Sequence, residues 1–414
     1  MDMDAPRAVK QSISLPGSLV QVLVPHFSRT YTLLGFGRDT AFYSSPAYTA
    51  PFDRMCATQH ADRFLGCEDM HLVTLGERTV IFTACLSTLS DRARVSSELR
   101  PADTARRIAT NASAPADKIF RWDLDSDDVA ELSLSGFTGD AAFHGFDINQ
   151  LPDGTLSLYA INHALSGSSI EKFTHDPSTT VLSHTASIPA PADTNPNDIY
   201  TLPHLDAVNA FYITSDHHYS TGLPRFVEDF SRRPWGSVRY HSGDDWTVAL
   251  PHVAGANGIT GDKRGPGGGR IYVSALLAGE VIVADEDSGV VTEVQRVPLG
   301  FMGDNVALTA EGTDLYVAGH AMPLVVGKHI EEGLVAAGSV VARIGTAQLG
   351  SGFFGGGFTA VPNVEEVLVD VGGRWVNAST TAVFRTRGGD AEEGGDLYVT
   401  GLTGRGILKC TGLK

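Results

Sequence analysis

Apolar and polar positions along this chain fall into one recurring phrase: a Gly, Asp or Asn turn, then an apolar residue, a tyrosine, and another apolar or small residue. LPDGTLSLYAINHA, DAVNAFYITSDHH, GPGGGRIYVSALLA, EGTDLYVAGHAM and EGGDLYVTGLTG carry it with Tyr159, Tyr212, Tyr272, Tyr316 and Tyr398, and GERTVIFTACLS repeats it with Phe82 in the aromatic place. Short apolar runs bounded by turn residues predict strands. Six copies predict six modules of one design.

A second pattern runs through the same modules. GDNVAL sets Asp304 and Asn305 before an apolar run, TNPNDIYTL sets Asn197 and Asp198, GANGIT sets Asn257, and GCEDMHLV sets Glu68 and Asp69. Asp and Asn are poor strand formers, and one such step alone would read as a turn. Its recurrence at strand starts asks for another reason. Glu68, His144, Asn197, Asn257 and Asp304 follow one another at 47 to 76 residues, with a sixth candidate around Ser379 in NASTTAV, and the mean spacing is about 62 residues.

Modules of that length, built from short strands with almost no amphipathic helix, predict four-stranded propeller blades rather than the shorter repeat of a capped solenoid. The expected fold is all-β, a six-bladed β-propeller over residues 46–414 as one domain. Residues 1–45 form an N-terminal extension in which SLVQVLVP is an added strand or an apolar arm. Innermost blade strands line a central channel, so polar residues at their heads converge on the axis. A ring of Glu, Asp and Asn oxygens is a site for a hard cation, and calcium accepts six to eight such ligands more readily than magnesium does.

Composition narrows the partners. The chain has 414 residues, 42% hydrophobic and 19% charged, which suits a large folded core. With 48 acidic against 31 basic side chains its net charge is −17, which repels nucleic acid and anionic membrane. No apolar run approaches the roughly 20 residues of a membrane span, and MDMDAPRAVK lacks the plan of a secretory signal. The expectation is a soluble protein without a transmembrane anchor. The cysteines, Cys56, Cys67, Cys85 and Cys410, have no zinc-knuckle spacing. A bridge between Cys56 and Cys410 would staple the two ends of the fold and imply an oxidising compartment; four reduced cysteines stand as an equal alternative.

These motifs, in this order, resemble the paraoxonase and arylesterase family of six-bladed, calcium-dependent hydrolases, from about Cys56 to Cys410. Loops such as GDKRGPGGGR and GGDAEEGG look like local insertions. The resemblance implies two calcium ions. Glu68, Asn197, Asn257, Asp304 and Asn305 would hold the catalytic one, and Asp69, the carbonyl of Phe146 and Asp198 the structural one. FHGFDI would supply His144 as the base and INHA would supply His163 as its dyad partner, while His217 and His320 would lie near the substrate. It also implies that Cys56 pairs with Cys410, leaving Cys67 and Cys85 free or buried. STGLPRFVEDFSRRPWGSV, after His218, takes the place of a substrate-covering element.

The chemistry that follows is hydrolysis of lactones or aryl esters, with organophosphate triesters a further candidate. Calcium would polarise the carbonyl and the histidine dyad would activate water. The chain has no Gly-x-Ser-x-Gly elbow for a serine nucleophile. The alternative is a propeller recruited for non-hydrolytic natural-product chemistry, such as cyclisation or isomerisation. Its partner in either case is a small hydrophobic ester, lactone or natural product.

Overall fold

Each tyrosine phrase folds as the second strand of a four-stranded antiparallel sheet, where both faces of the strand are covered by neighbouring sheets and its apolar residues are all buried. The computed structural model describes residues 28–87, 116–164, 166–220, 222–263, 268–332, 335–350, 362–387 and 394–413. Phe82, Tyr159, Tyr212 and Tyr398 are completely buried at equivalent places in four different blades.

The sheets are six blades. From the inside outwards, blade 1 is Cys67–Leu75, Arg78–Cys85, Lys118–Asp123 and Val129–Ser135, and blade 2 is Phe143–Gln150, Leu156–Ala164, Gly167–His175 and Val181–Pro189. Blade 3 is Pro196–Thr201, Phe211–Ser215, Gly236–Ser242 and Asp245–Val253; blade 4 is Ala256–Gly261, Gly269–Ala275, Glu280–Asp287 and Val290–Pro298. Blade 5 is Met302–Leu308, Asp314–His320, Ser339–Gly345 and Val364–Asp370, and blade 6 is Ser379–Thr386, Gly395–Gly401 and Ile407–Leu413, completed on its outer edge by Cys56–Gln59. Each inner strand touches the next, and the sixth touches the first, so the ring is closed. The core is therefore a set of layers between blades, such as Val281 and Val283 of blade 4 against Val317 and Val340 of blade 5. Each fully buried aliphatic side chain of this kind contributes roughly 1.5–3 kcal/mol.

Two features depart from a regular ring. The outer edges of blades 1 and 2 pair in parallel, Ser133–Ser135 alongside Val181–Ser183, which merges the two into one eight-stranded sheet. Before the first blade strand, residues 28–33, Thr40–Tyr43 and Pro46–Met55 are helical. This segment bonds to blade 5, through Arg38 to Glu366 and through the Tyr48 hydroxyl, which accepts from the Val369 amide. SLVQVLVP lies outside the described residues, as do residues 264–267 of GDKRGPGGGR and 388–393 of GGDAEEGG.

Cys56 and Cys410 are bonded, as directly opposed residues of the strand pair that closes blade 6. The expectation for the other two cysteines is corrected: Cys67 and Cys85 face each other across the first two strands of blade 1 and are also bonded. Two disulfides are compatible with an oxidising compartment. A second correction concerns helices, since Gly222–Ser231 and Pro323–Glu332 stand between blade strands. Among the described residues no helix is long and apolar enough to cross a membrane.

Candidate metal centre and active-site cavity

Strand-breaking residues sit at the inner strands because the ladder is interrupted there. In all six blades the pairing of inner and second strand shifts register: at 67–69, 143–146, 196–199, 256–259, 303–306 and 379–382. A bulge leaves residues unpaired and re-aims their side chains. The displaced residues include Glu68, His144, Asn197, Asn257, Asp304 and Asn305, which explains polar side chains inside otherwise apolar strands. Close approach needs glycine next to them: a Cβ on Gly145 would lie 2.6 Å from the Asn197 carbonyl, and one on Gly258 2.5 Å from Asn305 Cα. The sixth station is displaced from expectation. The Ser379 hydroxyl donates to the Gly319 carbonyl of blade 5, and Thr381, two residues on, meets the axial group instead.

At the upper end of the axis, Asn305 Nδ2 donates to Glu68 Oε1 at 3.0 Å and to Thr381 Oγ1 at 3.0 Å, which turns its oxygen away from both. Asn197 Nδ2 donates to His144 Nε2 at 3.3 Å, leaving its oxygen likewise unused. Among the described residues none bonds to Glu68 Oε2, Asn197 Oδ1, Asn257 Oδ1 or Asn305 Oδ1, and all four atoms are buried. Unpaired buried oxygens cost free energy. Burial, reinforced by the charges of Asp69, Asp304 and Asp198, pushes the Glu68 carboxyl well above its usual range. Among the described residues no three His, Cys, Asp or Glu side chains form a metal-holding group. The donors are instead two carboxylates and three carboxamides, an all-oxygen set that fits calcium.

His144 Nε2 also lies 3.5 Å from Glu68 Oε1, and its ring meets that of His163 edge to face at 5.2 Å. His163 Nδ1 is 3.2 Å from Ser168 Oγ. Above them is a cavity of about 380 Å³ with Glu68, His144, Asn197, Asn257, Asp304 and His320 in its floor. Leu276, Leu277 and Met302 line its walls, and His163 and Asn305 stand behind the lining. His320 Nε2 is 3.3 Å from Asp304 Oδ2, and His217 is at the wall between Asp216 at 3.0 Å and Asp229 at 2.7 Å. Burial disfavours charge on His217, but these carboxylates outweigh it and raise its pKa to about 9. His218 is exposed.

The helix Gly222–Ser231 over this cavity is inside out. Arg225 and Glu228 are buried at 6% and 0% exposure, whereas Leu223, Phe226 and Phe230 are 63–76% exposed. Glu228 explains the orientation, because it accepts the backbone amides of His218 and Tyr219. Phe226 and Phe230 from this helix, and Leu324 and Val326 from Pro323–Glu332, form an apolar rim. A larger open groove, about 820 Å³, runs past Asp262, Arg270, Asp285 and Glu311 and contains none of the axial stations.

Deeper in the channel lies a second polar group. Asp69 Oδ2 accepts His71 Nε2 and the Phe146 amide, both at 3.1 Å, while its Oδ1 accepts the Met70 amide at 2.7 Å. Asp198 accepts the Ile199 and Ile259 amides at 2.8 and 2.7 Å. Asp147 is bonded by Lys263 Nζ on both oxygens at 2.7 Å and by Thr201. Burial opposes ionisation of Asp147, yet Lys263 and His71 together hold it below the usual carboxylate range. Burial and the Asp69 charge push Asp198 well above that range. His71, Asp147 and Lys263 were not singled out in the sequence. Asp147 lies in FHGFDI, read for its histidine, and Lys263 in GDKRGPGGGR, read as a local insertion; only their juxtaposition across 116 residues makes a cluster.

The model of a family described as Arylesterase matches residues 107–349, more than half of the chain. Serum paraoxonase/arylesterase 2 of Rattus norvegicus is 25% identical over 180 residues, 43% of this chain and 48% of that relative. Serum paraoxonase/lactonase 3 of Homo sapiens is 27% identical over 214 residues, 50% and 58% respectively. The chain spans about half the length of the curated relatives it matches. Among solved structures, the PQQ-bound aldose sugar dehydrogenase of Streptomyces coelicolor is 14% identical with a TM-score of 0.46, over 86% of this chain and 97% of that one.

Proposed function

This chain belongs to the arylesterase family, and from that premise we propose that it is a calcium-dependent hydrolase of lactones or aryl esters. The observation that carries the calcium is the set of four buried, unpartnered oxygens on Glu68, Asn197, Asn257 and Asn305. With Asp304 they would hold one ion at the cavity floor. When bound, calcium supplies a Lewis acid for the substrate carbonyl and for the charge that develops on its oxygen.

The remaining work falls to the protein. Asn197 Nδ2 lies 3.3 Å from His144 Nε2, which would accept from it in the tautomer that carries no proton on that nitrogen. Once released from Asn197, that nitrogen would take a proton from the attacking water, and imidazole is suited to this near neutral pH. His163, packed against the His144 ring and anchored near Ser168, would hold that ring in position and receive the proton in relay. His320, beside Asp304, would keep that carboxylate oriented toward the floor. Leu276, Leu277 and Met302 would align an apolar acyl or aryl group and exclude bulk water.

The test is a panel of lactones and aryl acetates assayed with the full chain, after chelation and after calcium is restored. The expected result is hydrolysis that disappears with chelator and returns with calcium. Hydrolysis that survives thorough chelation removes the calcium. Failure to turn over any member of the panel with calcium present removes the hydrolase.

A further inference from the structure

The family resemblance leads one to expect a second calcium, held by Asp69, the Phe146 carbonyl and Asp198, beneath the catalytic one. The side chains found there do not fit it. We infer that this chain carries a single axial calcium, that His71 occupies the place beside Asp69 and Phe146 where the second ion would be, and that Lys263 neutralises the adjoining Asp147. The inference rests on the proposed upper site for its one ion and departs from the expected pair for the other.

Geometry carries the argument. A resident ion is favoured where the protein leaves buried oxygens without any bond of their own, and the upper group has four of them. Among the described residues the lower group has none among its carboxylates. Both oxygens of Asp69 are taken, one by the Met70 amide and Thr381, the other by His71 and the Phe146 amide. The Phe146 amide thus faces the carboxylate that the resemblance would have paired with the Phe146 carbonyl around an ion. Asp198 accepts one amide on each oxygen.

The place is also filled. The His71 ring lies with Nε2 at 3.1 Å from Asp69 and Nδ1 at 3.8 Å from Asp147, and it rests edge-on against Phe146 at 4.7 Å. Lys263 enters from the loop after the blade 4 inner strand. It bonds to both oxygens of Asp147, to the Ile148 carbonyl and to Asn149 and Thr201, a set of five oxygens around one ammonium. That shell resembles what a cation would collect, supplied here to a side chain. Asp198 is the carboxylate of this group to which no described cationic side chain bonds, so it is the residue through which a second ion would act if the inference is wrong.

Stoichiometry decides. Metal-free full-length protein is titrated with calcium by calorimetry, and bound metal is measured independently by elemental analysis. One ion per chain is expected, with one retained in Asp198→Asn and none in Asp304→Ala. Two ions, of which Asp198→Asn loses one, overturns the inference while leaving the proposed function standing. No bound ion in the unaltered chain overturns both. His71→Ala supplies an independent reading, because vacating the ring opens the place: a second, weaker calcium should bind and raise the melting temperature further. A folded His71→Ala chain that still binds a single ion overturns the role given to His71.

Discussion

Two polar groups share the central channel and draw on neighbouring residues of its inner strands, yet they are chemically opposite. The upper one has more oxygens than donors; the lower one has donors for every carboxylate oxygen. Residue type does not separate them, since Glu68 and Asp69 are neighbours in sequence, as are Asn197 and Asp198. Side chains from elsewhere do: among the described residues the basic side chains that bond the upper carboxylates are His144 and His320, while His71 and Lys263 bond the lower ones. A row of acidic residues becomes a metal site or an internal ion network according to what else folds against it.

The largest effect should come from Asp304→Ala. It removes a carboxylate from the upper group, so calcium binding and esterase or lactonase turnover should both fall beyond detection. The protein should also lose the calcium-dependent part of its stability, about 2.7 kcal/mol at a hundredfold excess over Kd. A melting temperature that still rises normally with calcium would place the ion elsewhere. Next, His144→Gln should lower turnover by about 10² to 10⁴ while leaving calcium affinity and melting temperature near those of the unaltered protein. Full activity in this variant excludes His144 as the base.

Lys263→Met tests the lower group. It strands Asp147 in the channel without its cation, and breaking a buried pair in this way should cost about 3 kcal/mol in denaturant unfolding. Calcium affinity at the upper site should not move, and a linked loss of affinity would mean that the two groups are one. The smallest effect concerns His217, held by Asp216 and Asp229 beside Arg225 as a protein-borne cation of the same kind. Its pKa is raised from 6.5 to about 9, so its stabilisation is fully present below about pH 6.5 and lost as pH rises through 9. The stability difference between the unaltered protein and His217→Gln should therefore shrink over that interval. A difference constant from pH 6 to 9.5 would rule out the ion pair.

Much of this organisation was legible beforehand. The tyrosine phrase, with Phe82 in its place in blade 1, marks the second strands because a residue covered on both faces must be large and apolar, and the acidic and Asn steps mark the bulges of blades 1, 3, 4 and 5 because there such residues can leave the ladder. The sixth station was placed only as NASTTAV around Ser379, since a hydroxyl in a strand carries no sign of which way it points, and within that stretch Thr381 is the residue that meets the axial group. Leu223, Phe226, Val227 and Phe230, in the segment expected to cover the substrate, have helical spacing, but the stripe faces outward rather than into the core. His71 and Lys263 lay beyond sequence reasoning for a simpler cause. A cation and its carboxylate 116 residues apart leave no local trace.

The bond between Cys56 and Cys410 has a consequence for the chain as a connected object. Everything from residue 56 to residue 410 is covalently a circle, with two tails attached at one knot. A single cut on that circle outside the Cys67–Cys85 loop, at the exposed turn around Gly243 for instance, converts the circle to a line without separating any two blades. Which blade comes first is then a matter of where the circle is opened rather than of how the ring is held.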